Sequence, residues 1–404
     1  MFKKILCSAL ALLMCVSCVA ILSACADDGV FKVGFICLHD ENSTYDKNFI
    51  EGALAACEAA GLTDEQVIFK KQVPESNDCY VAAKDLVDQG CDVIFANSFG
   101  HEDYIIQAAK EFPDVQFCHA TGTKAHTENI PNYQNAFASI YEGRYLAGIA
   151  AGMKLNEMIA NEEITAEEAV MGYVGAYTYA EVMSGYTSFY LGAKSVCPSV
   201  TMKVTFTGSW YDEAKERAAA EMLINEKNCV LISQHADSMG APTACETAGV
   251  PNVSYNGSTL SACPNTFIVS SRINWEPYFT YMIEKAQKGE DIMTDYTGTL
   301  ETGSVVLTDV NTAVAAEGTA DAIAAAKAKL ISGELKVFDV AQDNFITVNG
   351  EKLTTYKADV NSDAAFEKDT EVIANGVFEE SKHRSAPYFD IEIDGIELLD
   401  RNYG

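Results

Sequence analysis

Basic residues are scarce: 28 Lys and Arg stand against 58 Asp and Glu, a formal charge of −30 over 404 residues. Nucleic-acid phosphates are held by a basic face, so this balance excludes DNA and RNA as partners and fits a solvated acidic surface. No Gly-x-x-x-x-Gly-Lys-Ser/Thr loop, His-Glu-x-x-His helix or Gly-x-Ser-x-Gly elbow occurs, which removes the best-known nucleotide, zinc and hydrolase motifs. Long apolar runs are also missing beyond the first 22 residues, so no internal membrane span is expected. Cysteine is present 13 times, yet the Cys-x-x-Cys at Cys15 and Cys18 lies within the leader. The nine cysteines beyond Cys25, among them Cys37, Cys91 and Cys229, sit mostly in apolar runs. An odd number without metal-type spacing argues against a disulfide framework or a zinc site and for buried free thiols, with a single pair such as Cys37 and Cys118 left open.

The amino terminus has a basic start at Lys3 and Lys4, an apolar stretch from Ile5 to Leu22, and then Leu22-Ser23-Ala24-Cys25 before Asp27-Asp28. This is the order of a secretory signal. The final tetrapeptide resembles the bacterial lipobox, which implies cleavage after residue 24, acylation of Cys25, and a tether over residues 25–30. Two or three acyl chains, each methylene adding about 0.8 kcal/mol, would anchor the protein firmly outside the cytoplasmic membrane. Removing the leader takes two lysines and leaves a charge of −32. The remaining chain is longer than one core usually organises, so two lobes are expected.

From Phe31 onward, short β-branched runs alternate with amphipathic helices, as in doubly wound parallel sheets. Strands are expected at 32–38, 66–70, 92–96 and 115–119. The pattern then repeats. Val33-Gly-Phe-Ile36 is echoed by Met171-Gly-Tyr-Val174, Val67-Ile-Phe-Lys70 by Val200-Thr-Met-Lys203, and Cys91-Asp-Val-Ile94 by Cys229-Val-Leu-Ile232, at offsets between 133 and 140 residues. No Pro/Gly/Ser-rich linker separates the two units around residues 135–150. Because a doubly wound sheet binds ligands beyond the carboxyl ends of its strands, two such units facing each other make a clam-shell cleft with three hinge crossings, the type I periplasmic-binding-protein architecture. The expected division is lobe 1 from 31–140 and 256–296, lobe 2 from 141–255 and 297–338, and a small β-rich extension over 339–404. That extension carries a hairpin signal at Asn349-Gly350 and a β-rich close over 388–393. Asp359-Val-Asn-Ser-Asp363 imitates the start of a calcium loop, but Ala364 replaces the turn glycine and Thr370 the bidentate glutamate.

The residues just past the expected strands are aromatic and polar: Asp40-Glu-Asn42-Ser-Thr-Tyr45-Asp46, Asn97-Ser98-Phe99-Gly100, Ser209-Trp210-Tyr211, Gln234-His235-Ala-Asp237, Tyr255-Asn256 and Asn274-Trp275. Flat rings beside carboxylates and amides suit a planar heterocycle joined to a sugar. Together with Tyr141-Glu-Gly-Arg-Tyr-Leu-Ala-Gly148, these segments resemble the basic membrane protein family of nucleoside-binding lipoproteins, over about residues 31–338. The resemblance implies a solute-binding lipoprotein of an ABC importer, working with permease and ATPase subunits and holding a purine nucleoside. It puts Tyr45 where the family keeps a base-stacking ring, Trp210 as the opposing ring, Asp237 as the carboxylate for ribose hydroxyls, and Phe99, Asn256 and Asn274 along the pocket.

The match departs from the family's pattern at Asn42, which stands where Asp is common, and at Ala236, where a Thr often precedes the aspartate; Asp46 stands where many members have Asn. The candidate ligand-binding residues are Asn42, Tyr45, Asp46, Ser98, Phe99, Trp210, Asp237, Asn256, Asn274 and Trp275, with no catalytic residue, cofactor or metal ligand. Riboflavin or another heterocycle is the alternative ligand, and a receptor presenting its ligand to a membrane sensor the alternative role. An enzyme is the rival class, for which His119 and His235 would be the general bases. A nucleoside hydrolase would need a metal-binding carboxylate cluster, and Asp40, Glu41 and Asp46 are too isolated to make one.

Overall fold

The computed structural model describes residues 29–362 and 365–404. Cys25 lies outside them, as do two residues of the calcium-like loop, Asp363 and Ala364.

The first unit builds β1 (Val33–Ile36), α1 (Thr44–Ala59), β2 (Val67–Lys70), α2 (Asn77–Asp88), β3 (Val93–Ala96), α3 (Glu102–Glu111), β4 (Gln116–Ala120), α4 (Ala125–Glu128) and β5 (Tyr133–Ala138). Four-residue apolar strands such as β1 and β3, buried throughout, are what a parallel sheet covered by helices on both faces demands. The chain then crosses on the long helix α5 (Ile140–Ala160) into β6 (Val170–Gly175), α6 (Ala180–Val196), β7 (Thr201–Phe206), α7 (Glu213–Asn225), β8 (Leu231–Gln234), α8 (Gly240–Ala248), β9 (Asn252–Tyr255) and β10 (Phe267–Ile273). Helix α9 (Glu276–Lys288) and β11 (Asp295–Gly298) return to the first unit, and β12 (Val305–Leu307) and α10 (Thr319–Ile331) to the second. Near the carboxyl end, a last strand, β13, spans Ile396–Leu398.

The first sheet has the order β11-β5-β4-β3-β1-β2 and the second β12-β10-β9-β8-β6-β7-β13. All neighbours are parallel except β12, which runs antiparallel to β10. In both sheets the first strand of the unit lies between the second and the third, so the order reverses beside β1 and beside β6. The repeat read from the sequence is thus a repeat of topology, and the chain passes between the sheets three times.

Two expectations are corrected. Residues 256–296 do not all belong to the first lobe: β10 pairs with β9 and β12 in the second sheet, because its apolar face continues that core, and only the chain after it returns to the first. Nor is the C-terminal segment wholly separate: it forms three small two-stranded sheets of its own, but its last strand joins the second lobe. The Asn349-Gly350 hairpin forms, with Thr347–Val348 paired to Glu351–Lys352 and both turn residues at positive φ. Residues 388–393, however, join no ladder; Phe389 stacks instead on Phe338, ring centroids 4.5 Å apart. The strand forms further on, as β13, and completes the second sheet beside β7.

Helices α5 and α6 cross at glycines. A Cβ on Gly148 would lie 2.0 Å from the Phe189 carbonyl oxygen, and one on Gly192 would lie 2.0 Å from that of Tyr145. Only hydrogen side chains allow this approach, and it fixes the hinge-side helix against the second lobe.

The C-terminal segment also buries a carboxyl group. Glu380 is 1% exposed and accepts hydrogen bonds from the hydroxyls of Ser184 and Ser381. Burial raises its pKa to about 7, the two hydroxyls pulling in the opposite direction. A carboxyl whose folded pKa lies above its unfolded one contributes stability that is present at low pH and lost as the pH rises through the folded value. Glu380→Gln should therefore melt with the parent at pH 5 and above it at pH 8. Burial lowers the pKa of His101, His119 and His235, which pulls the parent's own profile the other way in acid. The readout is accordingly the difference between the two proteins in calorimetric melting, and a difference independent of pH would show that Glu380 does not ionise in this range.

Candidate ligand-binding cleft

The two points of strand-order reversal face each other, and the pocket lies between them, as doubly wound sheets require. From the first unit come Leu38, His39, Tyr45 and Asp46 after β1, Ser98 and Phe99 after β3, and Thr121 after β4. The second unit supplies Glu181 after β6, Trp210 after β7, His235 and Asp237 after β8, and Asn256 after β9. Together they enclose about 370 Å³ of atom-free space, mouth included. Phe99, Thr121 and Glu181 also border a larger adjoining space, about 1650 Å³ by the same measure, whose far wall is the C-terminal segment at Arg384, Tyr388 and Asp390.

Local sequence explains the placement. Ser43 caps α1, its hydroxyl accepting from the Asp46 amide, so Tyr45 and Asp46 sit in the first turn, at the cleft. Asp46 is fully buried. Burial alone would raise its pKa, but hydrogen bonds from the His39 side chain and amide and from Asn97, the last at 2.7 Å, hold it below the usual carboxylate range. Asp237, 4% exposed, is the opposite case. Burial raises its pKa well above the usual range, Asn256 opposes this by donating at 2.9 Å, and the carboxylates of Glu216, Asp46 and Glu181 add to the rise. Its charge thus lacks a counter-ion, and donors from a ligand would relieve it.

The rings form a second group. Trp210 is half-buried and meets Tyr177 edge to face at 5.1 Å; Tyr179 stacks on Tyr177 at 5.0 Å and lies 5.3 Å from Phe99. Tyr45 packs edge to face on Phe49 at 4.8 Å and donates to the Asn97 carbonyl at 2.7 Å.

The cleft is closed. The Thr44 amide and hydroxyl both donate to the Asp237 carbonyl at 3.1 Å, the Asn48 amide donates to the Asn256 carbonyl, and Arg272 donates to Asn48 at 3.3 Å. Asn256 has φ +66°, a left-handed conformation that Asn tolerates better than most residues.

Seven of the ten residues singled out from the sequence therefore meet at one pocket: Tyr45, Asp46, Ser98, Phe99, Trp210, Asp237 and Asn256. The Ser98 hydroxyl is committed to Glu75 at 2.6 Å. Three residues lie elsewhere. Asn42 is exposed and donates only to Asp40. Asn274 ties two hinge crossings together, its amide donating to the Ser304 carbonyl at 2.7 Å and its side chain to Gly303. Trp275 is 2% exposed and stacks on Phe49 at 4.3 Å, because the chain enters the first lobe's core at this point.

Glu181, His39 and Thr121 were not anticipated. The repeat carried a signal for one of them: an offset of 135 residues places Glu181 opposite Asp46, within the range that relates the strands. His119 is buried, with Nε2 2.7 Å from the Ser98 carbonyl and a pKa that burial lowers to about 3. It is a neutral structural group, whereas His235 lines the pocket. The nine cysteines are free and buried. Among the described residues no cluster of His, Cys, Asp and Glu could hold a metal ion, and no helix is long and apolar enough to cross a membrane.

A family model described as Bmp, the PnrA-like ABC transporter substrate-binding proteins, matches residues 36–339. A purine-binding protein of Brucella abortus is 34% identical over 251 residues, 61% of this chain and 66% of that protein. A putative ABC transporter glucose-binding protein of Haloferax volcanii is 33% identical over 260 residues, 63% of this chain and 62% of that one. The chain thus spans a little under two thirds of the length of these curated relatives. The solved structure of an ABC transporter solute-binding protein from Conexibacter woesei superposes with a TM-score of 0.60 at 21% identity, covering 78% of this chain and 99% of that one. That likeness is one of fold, a two-lobed periplasmic-binding architecture, and it agrees with the facing sheets described above. With the family model covering three quarters of its length, the chain belongs to the Bmp family of PnrA-like ABC transporter substrate-binding proteins.

Proposed function

We propose that this protein captures a purine nucleoside in its cleft and delivers it to the permease of an ABC importer, from an extracytoplasmic position held by acylated Cys25. Fatty-acid labelling of the parent and of Cys25→Ala tests the anchor, since label retained by the variant would place the acyl group elsewhere. The observation that carries the ligand reading is the composition of the pocket wall. The rings of Tyr45, Phe99 and Trp210 stand beside the carboxyl groups of Asp46 and Asp237 and the amide of Asn256, with no Lys or Arg lining the space. Rings take the faces of a base, and acceptors take the hydroxyls of ribose. The purine-binding relative supports the same reading.

A free sugar is the second reading, favoured by the name of the Haloferax relative. It would use the carboxylates but leave the rings of one wall without a planar partner. Riboflavin would use the rings and part of the adjoining space.

A thermal-shift panel separates these. Ligand at a hundred times its dissociation constant stabilises by about 2.7 kcal/mol, so guanosine, inosine or adenosine should raise the melting temperature while glucose and amino acids leave it unchanged. A nucleoside 5′-monophosphate should bind about tenfold or more weakly than its nucleoside, because a dianion enters a wall of carboxylates without a cation. A shift with glucose alone, or with riboflavin alone, would replace the nucleoside reading by the corresponding one.

A further inference from the structure

We infer that Glu181 reads the edge of the bound base and makes the cleft selective for guanine over adenine, an inference that rests on the purine-nucleoside reading above. Glu181 follows Tyr179 at the start of α6; in the sequence Tyr177-Thr-Tyr179-Ala-Glu181, Tyr177 packs on Trp210, Tyr179 borders the adjoining space, and Glu181 lines the pocket. Its side chain is 13% exposed. One oxygen lies 3.4 Å from Nε2 of His235, whose other ring nitrogen faces the Tyr173 hydroxyl at 3.3 Å and whose ring packs against Tyr255 at 4.4 Å. His235 thereby positions the carboxylate and, with its own pKa lowered by burial, supplies no full positive charge. No lysine or arginine lines this pocket; the cations nearby, Lys124, Lys368 and Arg384, line the adjoining space that Glu181 also borders.

The other polar groups of the wall are used differently. Both oxygens of Asp46 already accept from His39 and Asn97, and Asp237 is paired with Asn256. Glu181 is the carboxylate set among rings, beside Phe99, Tyr179 and Trp210. A carboxylate is an acceptor only. The edge of guanine offers N1–H and the N2 amino group side by side, a donor pair that matches two carboxylate oxygens. Hypoxanthine offers N1–H alone. Adenine turns the N1 lone pair toward the carboxylate and repels it, keeping only one amino hydrogen in reach.

Charge-assisted hydrogen bonds of this kind are worth about one to two orders of magnitude in affinity. The expected order is guanosine, then inosine, then adenosine, with guanosine about 10- to 100-fold tighter than adenosine, and 1-methylguanosine, which lacks N1–H, falling toward adenosine. Glu181→Gln is the informative variant. Its amide still accepts from His235, and with one donor and one acceptor it complements adenine's N1 and amino group, so the guanosine-to-adenosine ratio should fall by at least about tenfold. A merely structural role for Glu181 would weaken both nucleosides together and leave the ratio unchanged.

Calorimetric titration of parent and variant with the four nucleosides gives the answer. If the parent binds purine nucleosides but with equal affinity for guanosine and adenosine, or if the ratio does not move in the variant, the assignment of Glu181 is wrong and the nucleoside reading stands. If the parent binds none of the four, the nucleoside reading falls and takes this inference with it.

Discussion

Trp210→Ala is expected to bind a purine nucleoside about five- to more than a hundredfold more weakly than the parent while melting at nearly the same temperature. Stacking a base on an aromatic face is worth about 1–3 kcal/mol, and the wall that loses its ring has no second tryptophan, since Trp275 is sealed in the first lobe. The alternative role of Trp210 is packing, which the structure limits. The side chain is half-buried, its ring meets the half-exposed pair Tyr177 and Tyr179 at the cleft, and its contribution to the lobe through the backbone, a carbonyl accepting from the Asp237 amide at 3.0 Å, survives substitution. Trp210→Phe should recover much of the affinity. Titration and melting belong together here. A folded alanine variant with parental affinity would take Trp210 out of the site, and a large loss of melting temperature would make it a packing residue.

Arg144→Ala should have the largest effect on stability, a loss of about 3–5 kcal/mol. The guanidinium is fully buried where α5 passes under the second sheet, and among the described residues no carboxylate pairs with it. Neutral acceptors hold it instead: the Ser254 carbonyl at 3.0 Å, the Ser233 hydroxyl at 2.7 Å, the Tyr173 hydroxyl at 3.3 Å and Ser271 at 3.4 Å. The faces of Phe189, Tyr255 and Tyr173 surround it at 4.8 to 5.5 Å. It therefore ties the hinge helix to β6, β8, β9 and β10 at once. Alanine would leave a cavity and an unpaired buried carbonyl. Lysine would not repair it, because a point charge cannot fill four directions in one plane. Equilibrium denaturation measures the loss, and a cost below about 1 kcal/mol would mean that the second lobe closes around the gap.

The parts of the molecule that were legible in the sequence are those where local pattern and tertiary role coincide. The strands of each unit are short β-branched runs buried on both faces, so their positions and their repeat stand out. Because strand ends in such sheets are where ligands go, Tyr45, Asp46, Phe99, Trp210, Asp237 and Asn256 could be picked out from position and residue type. Asn274 and Trp275 also follow a strand, and the same rule misplaced them: β10 is where the chain leaves the second lobe, so the residues after it enter the hinge and the other lobe's core. Nothing in local composition marks that change of sheet. Glu181 was missed for a different reason. It lies six residues beyond β6 in the first turn of α6, as Asp46 lies in the first turn of α1, and only the repeat offset points to it. The role of residues 339–404 depends on a three-residue strand pairing with β7, a contact across nearly two hundred residues that periodicity does not record.

The pocket between the two reversals of strand order is proposed to hold a purine nucleoside. A crystal structure of the protein with guanosine tests it most directly. The base should lie between the rings of Tyr45 and Trp210, with the ribose hydroxyls on Asp237. Guanosine bound outside this pocket, or a base contacting neither ring, would contradict it.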